Sequence, residues 1–257
     1  MQTTIVHPSG AKIRWVELPG TGPGPARVYI HGLGACAAPY FAGVATHPLL
    51  AGRRSLLVDL LGFGISDHPA DFGYTLEDHA DTLADALGQA GVAGADVIGH
   101  SMGGAVAIVL AARHPEVVSR LVIVDGNLDP RPPTPGAPSG SGIAGYTEQE
   151  FLAYGRHEVR DRVGEHWWAT MRLAHPVGLY RSAASLARAT VPTMREMLVR
   201  MSIPRAYLYP DADPPHDAEG LREAGVDVVE IPDSGHNIML DNPDAFAATV
   251  ARLAAPV

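Results

Sequence analysis

The stretch from Asp96 to Ala112 constrains this chain more than any other. A short apolar run, Asp96-Val97-Ile98, leads into Gly99-His100-Ser101-Met102-Gly103-Gly104, and a strong helix former, Ala105 to Ala112, follows at once. A Gly-x-Ser-x-Gly pentapeptide between a strand and a helix imposes a sharp turn. The glycines let neighbouring backbone crowd a serine held in a strained conformation, with its Oγ presented above the end of a sheet. The pentapeptide alone is a common pattern. Its strand and helix flanks are what make it specific.

Around that turn the chain alternates strand and helix. Residues 3–18 read as two edge strands joined near His7-Pro8-Ser9-Gly10, and Pro19 to Pro25 is a Gly/Pro turn. Strands are then expected at 26–31, 54–60, 95–100 and 120–125, with helices at 38–50, 75–90 and 102–114. The alternation resumes with a strand at 205–210, a helix at 215–224, a strand at 226–231 and a helix at 242–254. Asn242-Pro243 suits the start of that last helix, with asparagine as cap and proline in the first turn. Such alternation argues for a mostly parallel sheet of about eight strands with helices on both faces.

Residues 129–203 interrupt the pattern, so the core divides into 1–128 and 204–257 around an insertion. The insertion opens on a Pro/Gly/Ser-rich linker, Pro130 to Gly142. Helical signals follow. Thr147-Glu148-Gln149-Glu150 is a capping box. Trp167, Trp168, Met171 and Leu173 mark a second helical segment, and Met194, Met197, Leu198 and Met201 form a helical stripe on a third. We read the insertion as a helical cap. Its apolar residues serve first to pack it onto the core, and as a set they also supply the roof of a pocket. Trp167, Trp168, Met171, Met194 and Met197 are the candidate substrate contacts. Arg156, Arg160, Arg172 and Arg181 are expected on solvated helix faces.

A serine hydroxyl needs a base to take its proton and a third group to orient that base. In a strand–turn–helix setting the partners follow in the order Ser, acid, His. His236 lies on Pro232-Asp233-Ser234-Gly235-His236-Asn237, after the strand-like run Val226 to Ile231, where it can swing over the sheet end. Three aspartates compete as the acid. Asp213, just past the strand Ala206 to Tyr209, is the first choice. Asp125 ends the run Leu121-Val122-Ile123-Val124 and is a rival, and Asp211 is a third. The oxyanion needs backbone N–H donors. Met102, after the nucleophile, supplies one, and Leu33 in His31-Gly32-Leu33-Gly34 supplies the other. His31 and His100 are expected to shape their turns.

These residues resemble the α/β-hydrolase superfamily over nearly the whole chain. The resemblance rests on His31 to Gly34, on Asp59-Leu60-Leu61-Gly62-Phe63-Gly64-Ile65-Ser66-Asp67, on the turn at Ser101, on the acid near Asp213 and on the loop at His236. It implies the fold and the triad. It also implies that the Asp59–Asp67 segment shapes the pocket floor without taking part in chemistry. It does not specify the substrate, because this fold hosts many hydrolytic chemistries. Epoxide and haloalkane chemistry is disfavoured, since those relatives carry aspartate where Ser101 stands. A small to medium, mostly apolar ester is the expected substrate. C–C bond hydrolysis or thioester hydrolysis by the same triad is the alternative, and a ligand-binding or receptor-like role with weak hydrolysis is another.

Composition narrows the partners. The net charge is −9 with no basic cluster, so nucleic acid and anionic membrane are not expected to bind. There is no His-Glu-x-x-His, no Cys-x-x-Cys, and no Gly-x-Gly-x-x-Gly after the first strand. No metal and no cofactor are therefore expected. No apolar run approaches the ~18 residues of a membrane span. The first residues have neither a basic nor an apolar signal region, and one cysteine, Cys36, excludes an internal disulfide. A small-molecule substrate and a cytoplasmic location are the expectation.

Overall fold

The computed structural model describes residues 1–130, 140–188 and 190–254. Most of the Pro/Gly/Ser linker, 131–139, lies outside the described residues. The strands are β1 (Gln2–Ile5), β2 (Lys12–Leu18), β3 (Arg27–Ile30), β4 (Ser55–Asp59), β5 (Ala95–His100), β6 (Val118–Val124), β7 (Arg205–Pro210) and β8 (Asp227–Ile231). They form one sheet in the order β1-β2-β4-β3-β5-β6-β7-β8. β1 and β2 run antiparallel, β2 pairs antiparallel with β4, and the other pairs are parallel. The order brings all the parallel strands' C-terminal ends to one edge, where ligands bind in open α/β sheets.

Strands β3, β4 and β5 are buried along their whole length, as central strands of a doubly covered sheet are. On one face pack α2 (Leu76–Gln89) and α3 (Met102–Arg113), whose buried residues join a cluster including Val28, Ile30, Val97 and Leu121. On the other face pack α1 (Ala37–Ala45) and the last helix, with Phe41, Val44, Phe246 and Val250 against Tyr29, Leu57 and Ile98. Helix α1 ends at Ala45, earlier than its sequence periodicity suggests. The residue before Pro48 is disfavoured in the α region, and the chain leaves through turns.

Between β6 and β7 lie a one-turn α4 (Glu148–Glu150) running into a π-helical turn at Phe151–Gly155, then α5 (Arg156–Met171), α6 (Pro176–Ala187) and α7 (Met194–Arg200). The Thr147–Glu150 capping box forms, with each side chain accepting the other's backbone N–H. Helix α5 is broken at Gly164, whose φ of 75° and ψ of 168° are not helical. Helix α7 packs on α3, and Met194 and Leu198 of its stripe are buried. After β7 come α8 (Ala218–Glu223), α9 (Ile238–Asp241) and α10 (Pro243–Leu253). Pro214 and Pro215 delay α8, so that Asp217 rather than an earlier residue caps it, accepting from Gly220 N–H at 3.2 Å. Asn242 caps α10 as its sequence suggests, accepting from Ala245 N–H at 3.1 Å.

Candidate active site

Ser101 sits at the β5–α3 junction with φ 53° and ψ −121°, a region that costs a non-glycine residue about 1–3 kcal/mol. The surroundings hold it there. Ser101 N–H donates to Val124 O at 2.9 Å, and Gly104 N–H donates to Ser101 O at 2.9 Å. The glycines are required by contact. A Cβ on Gly99 would lie 2.3 Å from Gly103 O, and one on Gly103 would lie 2.4 Å from Ile30 O. The pentapeptide therefore lets strand, turn and helix approach closer than side chains would allow.

His236 stands on the loop after β8, with Nδ1 2.5 Å from Asp125 Oδ2. The structure thus overturns the first choice of acid: the carboxylate on His236 is Asp125, not Asp213. The sheet order supplies the reason. β6 lies beside β5, whereas β7 is one strand further out, so the C-terminal end of β6 stands next to the serine turn. Asp125 takes a positive φ of 43° and donates its N–H to Leu208 O at 2.8 Å. Below it the Tyr207 hydroxyl donates to Gly126 O at 2.7 Å. Asp213 and Asp211 are exposed on the β7–α8 loop. Asp211 shares a hydrogen bond with Glu230, and this neighbour holds its carboxyl above the usual range.

His100 is buried, and its Nε2–H donates to the His236 carbonyl at 2.8 Å. It thereby anchors the loop that carries His236. Burial, helped by the adjacent His236, lowers its pKa to about 3. A ring this weakly basic is neutral in the working range and positions rather than accepts protons. His31 is equally structural. Its Nδ1–H donates to Gly32 O at 2.8 Å while Nε2 accepts Leu60 N–H at 3.1 Å. Asp59 accepts Ala37 N–H at 2.7 Å and Ile65 N–H at 3.0 Å. The Asp59–Asp67 segment therefore ties the start of α1 to the loop after β4. None of its residues lines the pocket, so the expected role as pocket floor is replaced by a bracing one. Cys36 is buried beside Asp59, and burial pushes its thiol up to about 12, far from a nucleophile's range.

A cavity of about 1180 Å³ opens over these groups. Ser101, Asp125, His236 and Leu33 line it from the sheet side, and Asp211 and Asp213 lie at its β7 margin. The roof comes from the helical segment between β6 and β7, through Ile143, Tyr146, Val163, Trp167 and Leu186. Of the five apolar contacts expected from sequence, Trp167 lines the cavity and the other four do not. Trp168 turns aside to the Arg156 guanidinium, 5.6 Å from its ring centre. Met171 packs on Gly34, and Met194 and Met197 pack on the α/β core. A helix has one face toward the cavity, and the stripe of α7 is spent against α3.

The roof groups that sequence reasoning missed include Arg162 and His166, both of which line the cavity. Arg162 donates to Ser141 O at 2.9 Å and to the Tyr146 hydroxyl at 3.3 Å. The break at Gly164 shifts which side of α5 faces inward, and no helical periodicity carries that information. The arginines considered from sequence lie elsewhere: Arg181 pairs with Glu148 at 3.0 Å, and Arg156 donates to Arg172 O at 3.2 Å. Among the described residues no cluster of three or more His, Cys, Asp or Glu could hold a metal ion, and no helix is long and apolar enough to cross a membrane.

Comparison with known proteins agrees with the fold. Residues 28–249 match the model of the alpha/beta hydrolase family. Two curated relatives are 2-hydroxymuconate semialdehyde hydrolases. The one from Pseudomonas putida is 40% identical over 106 residues, which is 40% of this chain and 37% of that protein. The one from Pseudomonas sp. (strain CF600) is 35% identical over 161 residues, 58% of this chain and 55% of that protein. The matched stretches thus span about a third to a half of those relatives' length. Among solved structures, an esterase from Exiguobacterium antarcticum superposes with a TM-score of 0.80 at 24% identity, over 99% of this chain and 100% of that one, a likeness of fold. With the strand order, the serine turn and the family match together, the chain belongs to the alpha/beta hydrolase family.

Proposed function

We propose that the protein is a serine hydrolase of small to medium, mostly apolar carboxylic esters, with Ser101 as nucleophile, His236 as base and Asp125 as the orienting acid. The observation that carries this reading is the 2.5 Å contact of His236 Nδ1 with Asp125 inside the cavity that Ser101 also lines. With Nδ1–H donated to Asp125, His236 Nε2 is left as the acceptor. It takes the proton of Ser101 Oγ as the oxygen attacks the substrate carbonyl carbon. Leu33 and Met102 N–H groups hold the resulting oxyanion. Collapse breaks the bond to the alkoxide, which leaves with the proton from His236. Water, deprotonated by the same ring, then releases the acid and frees Ser101. The helices of 129–203 serve as the cap, and core segments 1–128 and 204–257 carry the machinery. The partner is a small-molecule substrate, and the single buried cysteine suits a cytoplasmic setting.

A second reading is hydrolysis of a C–C bond beside a ketone by the same residues. Two observations favour it: the Pseudomonas relatives named above, and Arg162 on the roof, whose partners are a carbonyl and a hydroxyl rather than a carboxylate. Turnover of p-nitrophenyl esters from acetate to decanoate, by the native protein and Ser101→Ala, tests both. A Ser101-dependent rate with a chain-length optimum is expected. Fluorophosphonate labelling of Ser101 without ester turnover would move the assignment to the C–C reading. Labelling that persists in Ser101→Ala would remove Ser101 as nucleophile.

A further inference from the structure

The last part of α5 is joined to the loop that carries Leu33. Trp167 Nε1–H donates to Leu33 O at 2.8 Å. One turn further on, Met171 lies so close over Gly34 that a Cβ there would come within 2.9 Å of its side chain. Residues four apart on a helix share a face, so both contacts come from one side of the stretch after the Gly164 break. Met171 is fully buried by this packing, and Leu33 is nearly so. A buried carbonyl left without a donor loses its hydrogen bonding to water unrepaid, so the indole N–H has a structural value at this position.

The rest of the loop is braced from beneath. His31 holds Gly32 O, and Ala35 N–H closes a turn onto the same carbonyl at 3.1 Å. Gly32 C=O and Leu33 N–H lie in one peptide plane, so these contacts set the direction of the Leu33 N–H, while Trp167 reaches the next peptide from above. Holding the Leu33–Gly34 peptide keeps that oriented N–H from shifting away from the serine turn, which lies so close that a Cβ on Gly32 would come within 3.1 Å of the Ser101 Cβ. We propose that Trp167, seconded by Met171, is a positioning residue for the oxyanion hole: through the indole-to-carbonyl hydrogen bond the cap holds in place the loop whose Leu33 N–H the contacts beneath it orient. The proposal rests on the serine-hydrolase reading above. It goes beyond that reading in making a cap residue a determinant of the rate of the chemical step rather than only of substrate fit.

The test is Trp167→Phe, which keeps an aromatic ring and removes the N–H. Three quantities are compared with the native protein. They are kcat and KM for p-nitrophenyl butyrate, the rate of fluorophosphonate labelling of Ser101, and amide hydrogen exchange of a peptide covering residues 31–36. Misplacing a reacting group by an ångström costs on the order of a hundredfold, and loosening one of two donors should cost less, roughly tenfold. The expected result is a roughly tenfold fall in kcat and in labelling rate, with KM within about twofold, and faster exchange at 31–36. A rise in KM with kcat unchanged would overturn the proposal and make Trp167 a pocket wall. Unchanged exchange with unchanged kcat would overturn it as well. Failure of the serine-hydrolase reading shows separately, in the native protein: no fluorophosphonate labelling of Ser101 before any cap residue is altered.

Discussion

The serine turn and the cap above it are built on opposite principles. The turn is held by backbone at close quarters: Ile30 O and Gly103 O stand where side chains on Gly103 and Gly99 would be. The cap is held by side chains reaching across long sequence distances. Arg195 pairs with Asp129 at 2.6 Å, Arg181 with Glu148 at 3.0 Å, and Trp167 reaches Leu33 O from 134 positions away. Backbone crowding leaves a glycine signature that any reader of the chain can see. Long-range side-chain contacts leave none, because an arginine or tryptophan that makes such a contact looks the same in sequence as one that does not. The turn tolerates almost no substitution.

The sharpest way to break this comparison is at the acid, which joins the two kinds of site. Asp125→Asn should lower kcat by on the order of 10⁴, since the imidazole loses the carboxylate that sets its tautomer. Asp213→Asn should leave kcat within about threefold, as expected of an exposed loop residue. Steady-state kinetics on an ester substrate reads both, and the reverse ranking would return the acid to Asp213. Next in size is Gly103→Ala. Its Cβ would meet two backbone carbonyls, of Ile30 and His31, at 2.4 and 2.5 Å. A loss of about 2–4 kcal/mol in denaturant unfolding is expected, in the range of overpacking and strain at a closely approached site.

The pH dependence of stability sharpens the same point at the core. Burial lowers the pKa of His100 to about 3, with His236 contributing, and that of His79 to about 3, with His31 contributing. In the unfolded chain both titrate near the ordinary value of about 6.5. Between those limits the unfolded state binds more protons than the folded one, so stability rises with pH. It is fully present above about 6.5 and is lost as pH falls toward about 3. Each histidine adds a slope of up to ~1.4 kcal/mol per pH unit, and His79→Asn should remove one such share in urea melts at stepped pH. The smallest effect belongs to the cap. Trp168→Ala, away from the cavity and beside Arg156, should change kcat/KM by less than about threefold, while costing about 1 kcal/mol of stability. A larger catalytic loss would mean that the cap resembles the turn more than this comparison allows.

Much of the molecule was legible because its signals are local. The strands β3, β5 and β7 fall where apolar runs sit between turn residues, and the capping residues Thr147 and Asn242 act as their sequence neighbourhoods suggest. Ser101 and His236 were legible because a glycine-flanked turn and a post-strand loop occur in the right order. Asp213 was misread because sequence shows that an aspartate follows a strand, but not which strand lies beside β5. The methionine stripe at 194–201 was legible as a buried face, and the sequence did not say against what it is buried. It lies against α3 rather than over the cavity. His166 is not legible because Gly164 breaks α5, and the phase of the helix beyond a break is not set by the residues before it; Arg162, before the break, is placed by its long-range contacts with Ser141 and Tyr146.

The chain by itself determined that a strained serine would stand at a strand end in an α/β sheet, because glycine spacing and strand–helix alternation act within a dozen residues. It also determined that a late histidine would be available on a loop at the same edge. The tertiary structure decided which carboxylate meets that histidine, since only the sheet order places Asp125 one strand from Ser101. It likewise decided which faces of the cap look inward, since those depend on the Gly164 break and on contacts between residues far apart in sequence. Local geometry follows from short-range steric rules. Partnership between distant side chains follows from how the elements pack, and no short window of sequence contains that.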